Sequence, residues 1–373
     1  MRRRVDINAF VDLRFGVVDN PEAKPIHPEL PEASRMKTAR SSLYVLVACS
    51  LAACAPPDGR EAAPQAAASG WQQPVTEWGD PDLRGMWPIG HLTGVPLQRP
   101  PELGDRRFLT DEELAAREQQ YTGIQGAYKE EIDTNKMGMG HWVEWGQANR
   151  LTSLLVDPPN GQLPALTPEG ERRRELMRSG WMAIPFDHWT DFDNWDRCIT
   201  RGLPASMLPA YYNNGVEIIQ APGYVVIRLE MIHEARIVPI AGEPIDADAT
   251  AWFGYSRGRW EGNTLVVETT NFNGQGSSTN IHTVGSPPFN NTPISEEYVL
   301  TERFTRTGPD TLTYQATVSD PVIWTAPWTV EFPWQRDENY QMFEYACHED
   351  NSMIRNYIVT SRHERANQPG AAQ

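Results

Sequence analysis

From Gly215 onward the chain repeats one pattern: short runs rich in β-branched and aromatic residues, separated by turn residues. The runs occupy 216–220, 224–230, 234–238, 251–257, 264–270, 297–305, 311–318, 328–332, 341–347 and 354–360. Between them stand Ala221-Pro222-Gly223, Glu261-Gly262-Asn263, Thr307-Gly308-Pro309-Asp310 and the polar stretch 348–352. Runs of this composition, bounded by Gly, Pro, Asn and Asp, read as strands. Joints this short connect antiparallel neighbours. Eight to ten strands without a helical interruption predict a mainly β chain whose sheet curls into a closed or nearly closed antiparallel barrel. A β-sandwich is the alternative.

Alternation assigns faces within each run. Val225, Ile227, Leu229 and Met231 share one face, and Val226, Arg228 and Glu230 the other. Tyr298, Leu300, Glu302, Phe304 and Arg306 lie together, as do Glu344 and His348 opposite Phe343, Tyr345 and Cys347. Charged groups on an otherwise apolar face either meet water or orient a guest in a cavity.

Upstream the pattern is weaker. Thr110 and Glu113 form a capping box that predicts a helix to about Lys129, and Thr167-Pro168-Glu169 opens a second helix. Stretches 130–166 and 181–212 show no period and read as covering loops. One folded domain is expected over 71–365, its helical and loop part being 71–214.

The first residues have another logic. Met36, Lys37 and Arg40 precede an apolar run at 43–47 and then Leu51-Ala52-Ala53-Cys54. Basic start, apolar run and small residues are the order of a secretion signal. Cysteine directly after Leu-Ala-Ala has the form of a lipobox, with Cys54 as the lipidated residue. The apolar run is too short to span a bilayer, which needs about 20 residues. Segment 1–35 reads as an extension outside the signal, 36–53 as the lipoprotein signal and 54–70 as an Ala- and Pro-rich tether. Ala55 after the cysteine favours the outer membrane over retention at the inner one. A cytoplasmic extension with a buried helix at 41–53 is the competing reading.

Charge narrows the partners. The chain carries a net −16; removing residues 1–53 takes away eight basic and six acidic groups and leaves 25 against 43, a net of −18. Such a surface opposes nucleic acid and anionic headgroups. Cys49 and Cys54 fall in the signal, so Cys198 and Cys347 are the cysteines of the body. In an oxidising compartment they are expected to pair, closing a loop worth roughly 3–5 kcal/mol; two buried thiols are the alternative.

Few motifs carry chemistry. Glu230 and His233 are three apart, which places them on opposite faces of a strand. His282, His348 and Glu349 add no zinc spacing, and Asp187-His188 with Asp191 and Asp193 reads as a solvated loop. No metal or cofactor is expected. Gly254-Tyr255-Ser256-Arg257-Gly258 lies in strand-like sequence, not at a strand-to-helix elbow. Gly274-Gln275-Gly276 precedes no helix and is no phosphate cradle. All 13 Trp lie in the body, among them Trp142, Trp145, Trp181, Trp189, Trp195, Trp324 and Trp328. Trp clusters pack cores or line sugar, aromatic and cation pockets.

Several segments together resemble a widespread family of exported bacterial proteins. They are Pro81-Asp82-Leu83-Arg84-Gly85-Met86-Trp87, the stretches 152–161 and 163–170, Arg197-Cys198 with Arg201-Gly202-Leu203-Pro204, and Gly258-Arg259-Trp260-Glu261-Gly262-Asn263-Thr264-Leu265-Val266-Val267. Glu302-Arg303-Phe304, Asp320-Pro321 with Pro327-Trp328, and Glu344-Tyr345-Ala346-Cys347-His348-Glu349 complete the set. The resemblance covers about residues 80–352; it departs at Asn263, where the family has Asp, and in the insertion-like stretch 274–293. It implies a secreted body with a lipocalin-like barrel and assigns no reaction.

The expectation is therefore a lipid-anchored envelope protein binding a small, mainly apolar or aromatic molecule in the barrel. Its ligand residues are Arg197, Arg201, Arg228, Arg236, Trp324 and Trp328, with Arg228 or Arg236 holding a carboxylate. An envelope hydrolase, lyase or isomerase is the second reading, with an acid–base pair drawn from Glu230, His233, Glu302, Glu344 and His348. A structural or assembly lipoprotein is the third.

Overall fold

The computed structural model describes residues 70–367, apart from 145, 244, 245, 247, 280, 281, 288–291 and the His233 side chain. The expected signal, the tether up to residue 69, the Cys54 anchor and Trp145 lie outside the described residues.

Among the described residues ten strands form two antiparallel sheets. The four-stranded sheet has the order β1 (Gly85–Met86), β3 (Val216–Ala221), β4 (Tyr224–Leu229), β5 (Ala235–Pro239). The six-stranded sheet runs β2 (Leu155–Asp157), β10 (Trp328–Gln335), β9 (Thr311–Ser319), β8 (Val299–Gly308), β7 (Thr264–Thr270), β6 (Tyr255–Glu261). Among the described residues the ladders do not join into one closed ring. At β5 and β6 the sheets touch through a parallel bridge, Ile240 to Gly258, and Ala241 N–H donates to Gly258 O at 2.8 Å.

The alternation read from sequence is the burial seen. Along β8 and β9 every second residue is buried. Leu300, Phe304, Tyr314, Phe332 and Trp334 fill the interior with Trp87, Val216, Ile218 and Ile227 from the other sheet. Tyr314 stacks on Trp334 with ring centroids 4.9 Å apart, and Phe272 meets Tyr298 edge-on at 4.9 Å. Such aromatic packing adds about 0.5–1.5 kcal/mol per pair beyond area burial. The β6–β7 turn needs Gly262, whose φ of +58° suits glycine, and Asn263 completes it.

Among the described residues three α-helices accompany the sheets: α1 (Asp111–Asp133), α2 (Pro168–Leu176) and α3 (Met353–Ala366). α1 opens on the expected capping box, Thr110 Oγ1 accepting from Glu113 N–H at 3.3 Å while Thr110 N–H donates to Glu113 Oε2 at 2.8 Å.

Three expectations need correction. Segment 354–360 is not a strand but the heart of α3. Its Ile358-Val359-Thr360 run favours β structure, yet the flanking Arg, Glu and Ala favour helix. Helical spacing also seats Tyr357 edge-on to Phe186, 5.3 Å away. Segment 341–347 is irregular. It is held by Phe343 N–H on Glu230 Oε1 at 2.9 Å and by the Cys198–Cys347 bridge, not by a ladder. β6 begins at Tyr255, because a turn at Ala251, closed by Gly254 N–H to Ala251 O at 3.3 Å, precedes it.

Candidate functional site

Among the described side chains, the acid–base candidates Glu230, Glu302, Glu344 and His348 are not gathered in one cavity. β4 ends at Leu229, so Glu230 leaves the alternation and turns inward. Its carboxylate accepts from Asn213 Nδ2 and Gly215 N–H (both 3.0 Å), Phe343 N–H (2.9 Å) and Tyr340 Oη (2.6 Å). Four donors make it a structural knot. Glu302 is buried against Arg236, whose Nη1 donates at 2.9 Å, and against Tyr314 Oη at 2.9 Å. Glu344 and His348 are exposed, and the His233 side chain lies outside the described part.

The ligand candidates divide. Arg228 is on the outer face, paired with Glu217 at 2.7 Å. Trp324 and Trp328 are core residues, edge-on to each other at 6.0 Å, so neither offers an open stacking face. Arg236 is committed to Glu302. Arg197 and Arg201, in contrast, line one cleft of about 160 Å³ beside the end of α2.

Local sequence builds that cleft. Asp193 and Asp196 cross-brace a tight turn, Asp196 N–H donating to Asp193 Oδ1 at 2.8 Å and Asp193 N–H to Asp196 Oδ2 at 3.2 Å. Burial, with the Asp193 charge beside it, pushes the Asp196 carboxyl up to about 6. Cys198 follows at φ +57° and is bridged to Cys347, which pins the turn. Gly202, at φ +82°, lets the 275–277 segment close on this turn: a Cβ there would lie 1.9 Å from Ser277 O. Leu176 and Trp195 give the cleft apolar surface, and Gln275 and Ser277 form another wall.

Arg201 is the unusual group. It is 5 % exposed, and its Nε and Nη2 find no acceptor. Buried guanidinium donors are normally satisfied, since an unpaired charged donor is costly. Burial pulls its pKa down to about 10, against the attraction of nearby Glu234, Tyr212 and Tyr345. Glu234 Oε2 accepts from Ser206 Oγ at 3.0 Å, while Oε1 has no hydrogen-bond partner. Burial pushes this carboxyl up to about 7, opposed by Thr200, Ser206 and Arg201. His282 sits among aromatic rings, edge-on to Trp195 at 4.2 Å and to Tyr212 at 5.4 Å. Burial, aided by the Arg201 charge, drives its pKa down to about 3, so the imidazole is neutral.

Arg197 stands at the rim, its guanidinium 5.2 Å from the Trp189 ring and 5.6 Å from that of Trp252. Its Nη2 donates to Asn194 Oδ1 at 3.1 Å. The Asp187 region is tied into the fold: Asp187 Oδ1 accepts from Arg362 Nε at 3.2 Å and Arg365 Nη2 at 2.5 Å. Among the described residues no group of three His, Cys, Asp or Glu is arranged to hold a metal ion. Sequence reasoning missed Glu234, which stood as the first residue of an ordinary strand run. It missed Asp196 too, whose environment is made by the fold.

Comparison with protein-family models, with curated proteins and with solved structures gives no match for this chain.

Proposed function

We propose that this chain is an exported protein, tethered by a lipid on Cys54, that binds a small aromatic or apolar organic anion in the cleft at Arg201. The observation that carries the reading is the buried Arg201 guanidinium with two unpaired N–H donors. A carboxylate accepts two parallel N–H bonds from such a fork, and a charge-assisted pair of this kind is strong and directional. Leu176 and Trp195 supply surface for the body of the ligand. The volume, about 160 Å³, matches one ring: a cavity of roughly 150 Å³ accommodates benzene. Single-ring aromatic acids are therefore the ligand class.

The two-sheet body is read here as an opened, lipocalin-like barrel, with a sandwich as the alternative. Its interior is filled by aromatic side chains, which moves the ligand from between the sheets to the flanking cleft.

The test is thermal. The mature protein is heated with benzoate, 4-hydroxybenzoate, their neutral amides, and glycosides as a further panel. Ligand at 100 times its Kd stabilises by about 2.7 kcal/mol. Saturable stabilisation by the acids, absent with the amides and absent in Arg201→Gln, is expected. An equal response to acids and amides contradicts the reading.

One observation favours an enzyme as the second reading. Glu234, with a pKa near 7 beside Arg201, is suited to proton exchange near neutrality. In that reading Glu234, not the residues singled out from sequence, is the acid–base group. Turnover lost in Glu234→Gln, with ligand affinity retained, separates it from simple binding.

A further inference from the structure

The cleft at Arg201 carries charge of the opposite sign to the chain. Its lining holds three guanidinium groups, Arg178, Arg197 and Arg201, against one carboxylate, Asp193. The chain as a whole stands at −16. A concave site of one sign concentrates the field inside it and favours a ligand of complementary charge.

The arginines sit at different depths. Arg201 is 5 % exposed, and its Nε and Nη2 find no acceptor. Arg197, at the rim, is half-buried. Its Nε donates to Asp193 O and its Nη2 to Asn194 Oδ1, each at 3.1 Å. The rings of Trp189 and Trp252 flank the same guanidinium at 5.2 and 5.6 Å. A group held in this way has little rotamer freedom left to lose on binding. Its Nη1 has no acceptor among the described residues. Arg178 donates through Nη1 to Glu175 O and Met177 O, each at 2.9 Å, and among the described residues its Nε and Nη2 have no acceptor.

Asp193 does not cancel this charge. Its Oδ1 accepts from Asp196 N–H at 2.8 Å, and its charge attracts Arg197. It therefore positions the rim cation and offsets one of the three. A monoanion on Arg201 leaves one positive charge of the lining unanswered. A dianion answers both that remain.

We infer that the ligand of this cleft carries two acidic groups at opposite ends of its ring, one on the buried Arg201 fork and one on Arg197 at the rim. This rests on the reading of the cleft as an organic-anion site and narrows its ligands to aromatic dicarboxylates. Isophthalate and terephthalate hold their carboxylates apart and reach both guanidiniums. Phthalate holds them side by side and reaches one. A phosphate monoester puts both charges on a single group and leaves the rim unanswered. The Arg201 contact is common to monoacid and diacid, so the difference between their affinities reports the rim contact alone.

The test is calorimetric titration of the mature protein with benzoate, phthalate, isophthalate, terephthalate, the monoamide of terephthalate, and phenyl phosphate. Isophthalate or terephthalate is expected to bind roughly tenfold or more tightly than benzoate, the size of one added hydrogen bond between charged groups. The monoamide, phthalate and phenyl phosphate stay within about threefold of benzoate, since each lacks that bond. Added salt shrinks the advantage of the diacid, because the rim contact meets solvent. In Arg197→Gln the ratio of monoacid to diacid Kd falls to near one. The monoamide makes the same comparison in the wild-type protein, which covers the case of a variant that does not fold. Benzoate that binds as tightly as both separated diacids overturns the inference and leaves the anion site standing. A monoamide equal to terephthalate overturns it as well, and so does phenyl phosphate that outbinds both. Failure of every acid to bind ends the inference together with the reading of the cleft.

Discussion

Arg236 on β5 and Glu302 on β8 form a two-pronged ion pair between the two sheets, with side chains 2 % and 0 % exposed. Tyr314 Oη adds a third donor to the carboxylate at 2.9 Å. The pair joins sheets whose ladders meet only at the Ile240–Gly258 corner among the described residues. Removing one partner strands the other as a buried charge, at about 3–5 kcal/mol. Glu302→Gln and Arg236→Met are each expected to fall in that range by urea unfolding. The double variant Arg236→Met with Glu302→Leu recovers most of the loss. A double variant as unstable as the sum of the singles would show the two side chains to be uncoupled and contradict the pairing.

Arg201 predicts the opposite sign. Its two unpaired donors destabilise the unliganded protein, so Arg201→Met is expected to raise stability by about 1–3 kcal/mol. The same change abolishes binding of aromatic acids. Stability gained with function lost is the mark of a site held against its own folding energy. Chemical denaturation without ligand and titration with benzoate measure the two halves separately.

Glu234 and His282 give the pH dependence of stability contributions of opposite sign, and Asp196, raised to about 6, acts in the same direction as Glu234. Glu234 rises from 4.5 to about 7 on folding, so the folded state holds its proton longer than the unfolded chain. Its carboxyl costs nothing below pH 4.5, and stability is lost as pH rises toward 7. His282 falls from 6.5 to about 3, so the unfolded chain takes the proton first and stability is lost as pH drops from 6.5 toward 3. Glu234→Gln is therefore expected to flatten the decline between pH 4.5 and 7, and His282→Phe the acid-side decline. Tm profiles of both variants against pH check the assignment, and a wild-type-shaped profile in either rules out that residue's share.

The Cys198–Cys347 bridge closes a separation of 149 residues, a loop length for which removal costs about 4–5 kcal/mol at most. It ties the cleft turn to the irregular segment before α3. Cys198→Ser is expected to lower stability by about 3–5 kcal/mol and to expose segment 341–352 to protease before the sheets unfold. Simultaneous loss of both regions would place the segment inside the cooperative core.

Strand positions were legible because one face of each strand is buried, so period-two alternation survives in β8 and β9. The cysteine pairing was legible from compartment logic and the count of two. α3 was not, because Ile358, Val359 and Thr360 mimic a strand locally and only Phe186 and Phe192 reveal the helical face. The fold places both Arg197 and Arg201 on the cleft, and both entered from sequence as ligand candidates within the resembling segments. Glu234 did not, because its environment comes from residues 28 to 34 positions upstream, Ser206 and Thr200, brought near by the fold. Closure of the barrel was not legible, since hairpin joints specify neighbours but not whether the first and last strands meet.

Export carries its own prediction. Cys54→Ser is expected to move the protein from the detergent-rich phase to the aqueous phase on cloud-point partition of envelope extracts. Unchanged partition would remove the lipid tether from the account.

The Arg201 Nε–H resonance in a ¹⁵N correlation spectrum tests the binding site most directly. Benzoate is predicted to shift it progressively and to saturation, while benzamide leaves it in place. Benzoate that binds while that resonance stays still would contradict the account.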